Sequence, residues 1–488
     1  MLKYTLRVIL ITGFLLHSGA LSAFSVEDSV YVKGLLHLNS SVSSGEYAPE
    51  KLVKMAHEKG IAAVFLTENL MPRWEYGIYP FRRVIKKTVE RDGLIKYGPS
   101  EYARRIGEIN ESFPDLTVNM SAEVAPFYYW TGSPLGRGGL TLHDWDIQFL
   151  VTGLEPSDYS QIPTISNGGF SGYGVVSVLK LWPFLLILLG AICLRKKHPR
   201  YYLADSLCWF FIVTGAVFAL ANYPYKYYRY DQYHGSAGSG PYQQVIDYVN
   251  SKGGMTFWSS PEAFTHRDLG PVWFKSPEAT GYMLEVSGYT GFCCFYEGYR
   301  QVGSPGGVWD TVLGEYCAGK RRRPVWAVGE MSYHSKEASG GKQIDEVQTV
   351  FIVGENTREN IMRAMKEGSM YAVRRSSGHE LQIRSFTVKY SNGETAGMGE
   401  ELLASGPVEV DFFVGWEGVP QGEVTADLVR SGKVIKQFKF AQPGRISFSD
   451  DYYEPGSKIY YRLDVRGKYP SMLFSNPVFV RFEKSEAD

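Results

Sequence analysis

The chain has no excess of either charge. In 488 residues, 51 Lys and Arg face 51 Asp and Glu, for a formal net charge of 0. Bulk electrostatic attraction to nucleic acid is therefore not expected. No C-x-x-C pair occurs, so the thiolate spacing of a structural zinc site is missing. No Walker loop, nucleotide-binding glycine motif or Ser-His-Asp spacing is present. The glycine-rich run Gly136-Arg137-Gly138-Gly139 lacks the strand-to-helix setting that a phosphate loop needs. No repeat with a period of about 20–50 residues is visible.

What is there is long enough for two or three domains. Aromatic residues make up 15%, with 34 Tyr, which suits large cores and sugar- or membrane-facing surfaces. Residues 1–23 read as a secretory signal: Lys3 and Arg7 precede the apolar run Val8–Leu16, and Ala20-Leu21-Ser22-Ala23 offers small residues for cleavage. An uncleaved anchor is the alternative. Val175–Leu194 and Tyr201–Tyr223 are apolar spans long enough for a bilayer, separated by the basic stretch RKKHPR (195–200). That loop is expected on the cytoplasmic side, with the soluble parts on either side of the hairpin both outside. The expected location is a bacterial cell membrane, with two transmembrane helices and extracytoplasmic soluble domains. Cys193 and Cys208 fall in the apolar spans. A bridge from Cys293 or Cys294 to Cys317 is an open alternative.

The stretch 34–69 organises the rest. Val32–Leu38 and Ile61–Leu66 read as strands around a helix over Pro49–Lys59, with Leu52, Val53, Met55 and Ala56 on its buried face and Gly60 ending it. Each strand runs into polar residues: His37, Asn39 and Ser40 after the first, Thr67, Glu68 and Asn69 after the second. At strand C-termini of an α/β sheet such residues point into a site. The α/β pattern continues with a helix over Glu101–Glu111, a strand over Leu116–Val124 carrying Glu123, and a strand over Asp146–Leu154. It resumes at Gly240 with a helix and a strand ending at Ser259-Ser260. Later comes a strand over Pro324–Gly329. The alternating runs over 380–488 read as antiparallel strands of a small β-sandwich.

The order of these pieces resembles the PHP family (polymerase and histidinol phosphatase domains). Its H-x-H-T, S-D-G and T-D-H motifs correspond to His37-Leu38-Asn39-Ser40, Ser43-Ser44-Gly45 and Thr67-Glu68-Asn69. Its A-H-P corresponds to Ser259-Ser260-Pro261 and its D-x-H to Ser332-Tyr333-His334. Tyr282–Val286 resembles the family's next strand, W-D…L…G-[KR] matches Trp309-Asp310 onward, and Ser475-Asn476-Pro477 matches a closing S-N-P strand. The resemblance covers about 30–160 and 240–378. It implies a distorted (β/α)7 barrel interrupted by the transmembrane hairpin. The expected division is a signal at 1–23, barrel parts at 24–160 and 240–378, linkers at 161–174 and 224–239, the hairpin at 175–223 and the β-sandwich at 379–488.

The resemblance also implies metal-dependent phosphoester hydrolysis, with two or three ions held by His, Asp and Glu. By the family's grouping, His37 and Glu123 belong to one ion together with the positions now Asn39 and Ser332. His334 belongs to another, with the positions now Ser44 and Asn69. Usable ligands remain at His37, Glu68, Glu123 and His334, whereas Asn39, Ser44, Asn69, Ser260 and Ser332 replace ligands with neutral groups that bind zinc poorly. The cofactor expected is none, or one weakly bound divalent ion, zinc or manganese. For Glu68 and Glu123 the plainer role is pairing with an arginine such as Arg73 or Arg82. Arg73, Arg82 and Arg83, with Lys86 and Lys87, fall in a long loop and helix start. They are either a solvated face or a ligand rim.

The function expected is that of a membrane-anchored PHP-like protein with an eroded metal site, a pseudoenzyme or one of altered activity, binding a phosphorylated or glycan ligand. Two alternatives stand beside it: an active phosphoesterase with an unusual site, and an envelope scaffold.

Overall fold

In the computed structural model the described residues are 29–134, 138–195, 202–268, 270–420 and 422–484, with the side chains of 202–204 left aside. The signal reading of 1–23 and most of the basic loop 195–200 fall outside them. Strand β1 (Val30–Leu38) and β2 (Ala63–Asn69) pair in parallel around α1 (Pro49–His57). Pro49 starts that helix, Leu52, Val53 and Ala56 are buried, and Gly60 closes it with φ 72°, as the apolar spacing predicts. Met55, also expected on the buried face, is only partly buried and packs against the core.

Further strands are β3 (Thr117–Val124), β4 (Gln148–Thr152), β5 (Met255–Ser259), β6 (Gly291–Cys293), β7 (Trp326–Val328), β8 (Val347–Val353) and β9 (Met370–Arg374). They lie side by side as β7-β6-β5-β4-β3-β2-β1-β8-β9 within a 15-stranded sheet of the described residues. Pairing is parallel among β1, β2 and β3 and among β5, β6 and β7. It is antiparallel where β4 meets β3 and β5, and where β8 meets β1 and β9. The far end of this run bends back to its middle. Leu38 and Tyr333 form a parallel bridge, with Asn39 N–H donating to Tyr333 C=O at 3.0 Å. The ladder is that of a curled mixed sheet in which the segment after β7 meets β1, with Tyr333 N–H also donating to His37 C=O at 3.1 Å. The reversed β4 breaks the uniform β/α alternation.

Helices Pro99–Ser112, Gly240–Ser251, Val308–Cys317 and Arg358–Glu367 cover the sheet with Tyr102, Ile106, Tyr242, Ile246, Trp309 and Ile361 inward. Tyr282–Val286 is not a strand: Thr280–Glu285 is helical, and the strand of that region is β6. Residues after Arg73 form an antiparallel hairpin, Arg73–Gly77 with Lys86–Glu90, not a loop and helix start. The alternation Arg73, Glu75, Gly77 on one side and Trp74, Tyr76 on the other is a strand's period of two.

The C-terminal strands make two facing sheets with a shared apolar interior, Leu381, Ile383 and Phe412 from one and Leu428, Leu463 and Leu473 from the other. One of these sheets continues the main sheet, because β9 pairs with Met472–Ser475. Asn476, in the S-N-P run, ties this junction to β7: its side chain accepts from Ala327 N–H (2.8 Å) and donates to Ala327 and Met370 carbonyls (3.1 and 3.0 Å). Satisfying three buried backbone groups requires the two-faced amide.

Pro183–Arg195 and Tyr202–Asn222 pack as a pair, preceded by a short helix Val175–Leu179. Val175–Arg195 and Asp205–Asn222 are long and apolar enough to cross a membrane, and most of each faces outward. Their contact is made by glycines. A Cβ on Gly190 would stand 2.6 Å from Cys208 C=O, and one on Gly215 would stand 2.8 Å from Pro183 C=O. Cys193 and Cys208 form a disulfide across this pair, while Cys293, Cys294 and Cys317 are free thiols, so no bridge to Cys317 is made.

Candidate functional site

The C-terminal ends of β1, β2, β3, β5 and β7 meet around a cavity of about 470 Å³. His37 reaches it through a local break in β1. Its backbone is left-handed (φ 65°), and the register with β2 shifts between Leu35 and Leu38. Such a bulge re-aims a side chain at the cost of backbone strain. Ser260, just past β5, is also left-handed, at φ 41°.

His37 is buried between two carboxylates. Nδ1 is 2.5 Å from Glu330 Oε1, and Nε2 is 3.4 Å from Glu123 Oε1. The second contact is an ion-pair distance without hydrogen-bond alignment, and Nε2 has no other partner. Burial alone pushes the imidazole pKa down, but the charges of Glu123 and Glu330 more than offset it and raise it to about 10. The ring is thus an imidazolium at neutral pH. For Glu123, burial opposes the charge, while His37 and neighbouring donors hold the pKa below its usual value. Asn69 Nδ2 also donates to Glu123. Ser259 Oγ donates to Glu330 at 3.0 Å.

His334 stands on the other side of the cavity. Nδ1 faces Ser44 Oγ and Nε2 faces Ser332 Oγ, both at 3.1 Å. Burial and the positive His37 lower its pKa, so it is neutral. Glu68 does not line the cavity. It is enclosed by the Ser40 hydroxyl (2.5 Å), the Ser43 hydroxyl (2.5 Å) and the Tyr102 hydroxyl (2.6 Å), and burial raises its pKa. Neither Glu68 nor Glu123 takes an arginine. Hydroxyls satisfy the first, and a histidine and an amide satisfy the second.

Of the residues singled out in the sequence, His37, Ser44, Asn69, Arg73, Glu123, Ser260, Ser332 and His334 line this one cavity. Asn39 is buried just behind it, with Nδ2 on Thr67 C=O (2.8 Å) and Oδ1 unpartnered. Arg82 stacks on Tyr233 (4.5 Å), and Arg83 pairs with Asp231 (2.7 Å) and Glu75 (3.3 Å), so both are outside the cavity. Sequence reasoning passed over Glu330, although it directly follows the strand that ends at Gly329 and obeys the same strand-end rule as Glu123. Trp74, Tyr128, Trp145, Arg91, Asp146 and Glu297 also line the cavity. They sit on the hairpin and loops, where no periodicity points to them.

The donor set does not fit a two- or three-ion centre. Among the described residues no three His, Cys, Asp or Glu side chains are grouped to hold a metal ion. The residual face is His37 Nε2, Asn39 Oδ1 and Glu123. An ion there would have to displace the Nε2 proton, which two carboxylates stabilise, so affinity at neutral pH would be weakened.

No family model matches the chain, and no curated protein matches it. Solved structures do. A two-domain protein from Bacteroides vulgatus containing a predicted PHP-like metal-dependent phosphoesterase is 11% identical, with 90% of this chain and 91% of that chain covered and a TM-score of 0.34. An amidohydrolase from Chromobacterium violaceum with bound sulfate and no metal is 11% identical, with 63% and 90% covered and a TM-score of 0.28. Both TM-scores are low, and neither likeness bears on the reading of the site.

Proposed function

We propose that the chain is a membrane-anchored, extracytoplasmic protein of the PHP type in which the metal centre has given way to a ligand-binding cleft. One observation carries this reading: the donors that a second ion would need are committed elsewhere. His334 faces two serine hydroxyls, and Glu68 is enclosed by three hydroxyls away from the cavity. Two-ion clamping of a phosphoryl group then has no support. At most one weakly bound divalent ion remains, at His37, Asn39 and Glu123.

The cavity keeps the chemistry of a binding site. Ser43, Ser44, Ser260 and Ser332 offer hydroxyls, Arg73 and Arg91 offer guanidiniums for a phosphate, and Trp74 and Trp145 offer faces for a sugar ring. A phosphorylated sugar uses all three. The two apolar helices supply the anchor, with the intervening basic loop cytoplasmic and both soluble parts outside.

Metal content of the purified full-length protein, measured beside a phosphoesterase panel, tests this. The expected result is less than one tightly bound ion per chain and no metal-dependent hydrolysis. Two stoichiometric ions, or a hydrolytic activity abolished by His37→Ala, would overturn it. A reporter at His198 is expected to behave as cytoplasmic and one at Asp488 as exported. The reverse pattern would overturn the anchoring.

A further inference from the structure

We infer that the cleft is loaded from the membrane: its ligand is a phosphate-bearing headgroup still attached to its lipid, admitted through a second cavity at the membrane end of the apolar helices. This deepens the ligand-binding reading above and rests on it.

The second cavity, about 350 Å³, lies between the hairpin, residues 165–171 and residues 223–232. Arg73, Tyr128 and Ser166 line both cavities, so the two lie back to back across a shared wall, and the proposed route crosses it. Its opposite rim is the exit of the helix pair. Asn222 ends the last apolar helix, and Tyr223, Pro224 and Lys226 line the cavity directly after it. Lys180, at the entrance of the pair, donates from Nζ to Lys226 C=O at 2.6 Å, and Asn222 Nδ2 donates to Lys180 C=O at 3.0 Å. Both helices therefore meet the soluble part at this rim.

The lining is cationic. Arg73, Arg83, Lys86 and Lys226 face one lining carboxylate, Glu75, which takes Arg83 at 3.3 Å, Lys86 at 2.6 Å and Arg73 at 3.7 Å; Glu90, outside the lining, also lies 3.7 Å from Arg73. Asp231 neutralises Arg83 at 2.7 Å. Among the described residues, the Lys226 ammonium meets the ring of Tyr173, at 5.5 Å. Arginine and lysine beside tyrosines at a bilayer border are the chemistry that holds an anionic headgroup. The hairpin tip adds an independent observation. Ile78, Tyr79, Val84 and Ile85 are 58%, 77%, 46% and 52% exposed. The hairpin is fixed to the juxtamembrane segment by Gly77 N–H donating to Tyr233 Oη (2.7 Å) and by Arg83 over Tyr228 (4.0 Å). An apolar tip flanked by Arg82, Lys86 and Lys87 is suited to lie in the headgroup layer beside the cavity mouth.

The test uses the full-length chain in phosphatidylcholine nanodiscs doped with phosphatidylglycerol that carries a diazirine on its headgroup. Photolabelled peptides are mapped by mass spectrometry. Label is expected in 165–171, in 223–232 and in the cleft segment 326–334. Lys226→Ala is expected to lower all three about fivefold. Ser166→Trp, placed on the shared wall, should keep the label at 223–232 and remove it from 326–334; should it fail to fold, Lys226→Ala decides alone. Glycerol 3-phosphate added in solution should not compete. Label confined to 175–222, or label that stops at 223–232 in the wild type, overturns the path. Full competition by glycerol 3-phosphate overturns the lipid source but leaves the cleft as a phosphate site. Protection of His334 from diethyl pyrocarbonate by a soluble sugar phosphate, with no lipid label, overturns this inference and spares the ligand-binding reading. Absence of both overturns the two together.

Discussion

His37 and Glu330 are 293 residues apart in the chain, and the ring Nδ1 of one lies 2.5 Å from Oε1 of the other. With Glu123 on the opposite nitrogen, the imidazolium is a buried cation between two anions. It serves as the positive charge around which the carboxylates converge. A charge relationship of this kind spans both soluble parts and makes each depend on the other.

That charge has a pH signature. The folded pKa of His37 is raised from 6.5 to about 10, because Glu123 and Glu330 outweigh burial. A raised histidine pKa stabilises fully below the unfolded value and ceases to do so as pH rises through the folded one. Stability is therefore expected to fall between pH 6.5 and about 10, by on the order of a few kcal/mol. Melting temperature against pH checks this. Glu330→Gln, which keeps the shape and removes one charge, is expected to flatten the decline, and an unchanged slope would remove His37 as its source.

The pairing of strands predicts how the chain can be cut. Residues 30–160 alone leave β1 without β8 on its outer edge and β4 without β5, exposing two apolar strand edges. That fragment is expected to be insoluble or unfolded. Replacing 175–223 with a flexible linker is expected to retain the fold, since the sheet gains no strand from it. A cooperative melt of 30–160 by itself would contradict the shared sheet.

Much of this was legible in the residues. Leu52, Val53 and Ala56 sit at helical spacing, and the helix they announce is there, since its apolar face is complete within nine residues. His37, Glu123 and Ser332 share a cavity because His37 and Glu123 sit at the last residues of strands, and Ser332 just past one, that end at the same mouth. The family resemblance failed at Tyr282–Val286, where YMLEV matched a strand but Thr280–Glu285 is helical, with Met283 buried in the core. Local pattern failed after Asn69, where the charges of Arg73, Arg83 and Lys86 masked a hairpin organised by Glu75. Glu68 and Glu123 look alike in sequence, but only the fold brings Tyr102 to one and His37 to the other.

The proposed loss of metal ligands can be tested by putting donors back. The Asn39 side chain reaches Glu123, and Ser332 lines the cavity with His37, so Asn39→His with Ser332→Asp adds two anionic or imidazole donors beside His37 and Glu123. Ion affinity is expected to rise about tenfold or more, taking as a floor the loss caused by removing even outer-sphere partners. Ion content by plasma emission after dialysis reads this directly. No gain in the double variant would mean that the backbone at His37 does not present its neighbours to the cavity.

The last prediction concerns the joint between the α/β part and the C-terminal sheets. Arg462 is fully buried and donates to both oxygens of Asp310 at 3.0 and 2.8 Å, while Tyr460 donates to Asp310 at 2.7 Å. Asp464 takes another Arg462 nitrogen, and its second oxygen has no partner. Burial, only partly offset by Arg462, raises the Asp464 pKa to about 6. The two aspartates should therefore respond in opposite ways. Asp310→Ala strands a buried guanidinium and is expected to cost about 3–5 kcal/mol. Asp464→Asn keeps an acceptor for Arg462 and removes a charge the fold disfavours. A raised carboxyl pKa stabilises below its unfolded value of 3.8 and ceases to do so as pH rises through about 6, so the asparagine variant should gain on the wild type above pH 6 and lose that gain below it. Denaturant unfolding of the two variants at pH 5 and pH 8 separates them. Equal losses at both pH values would show that Asp464 is a structural anion like Asp310.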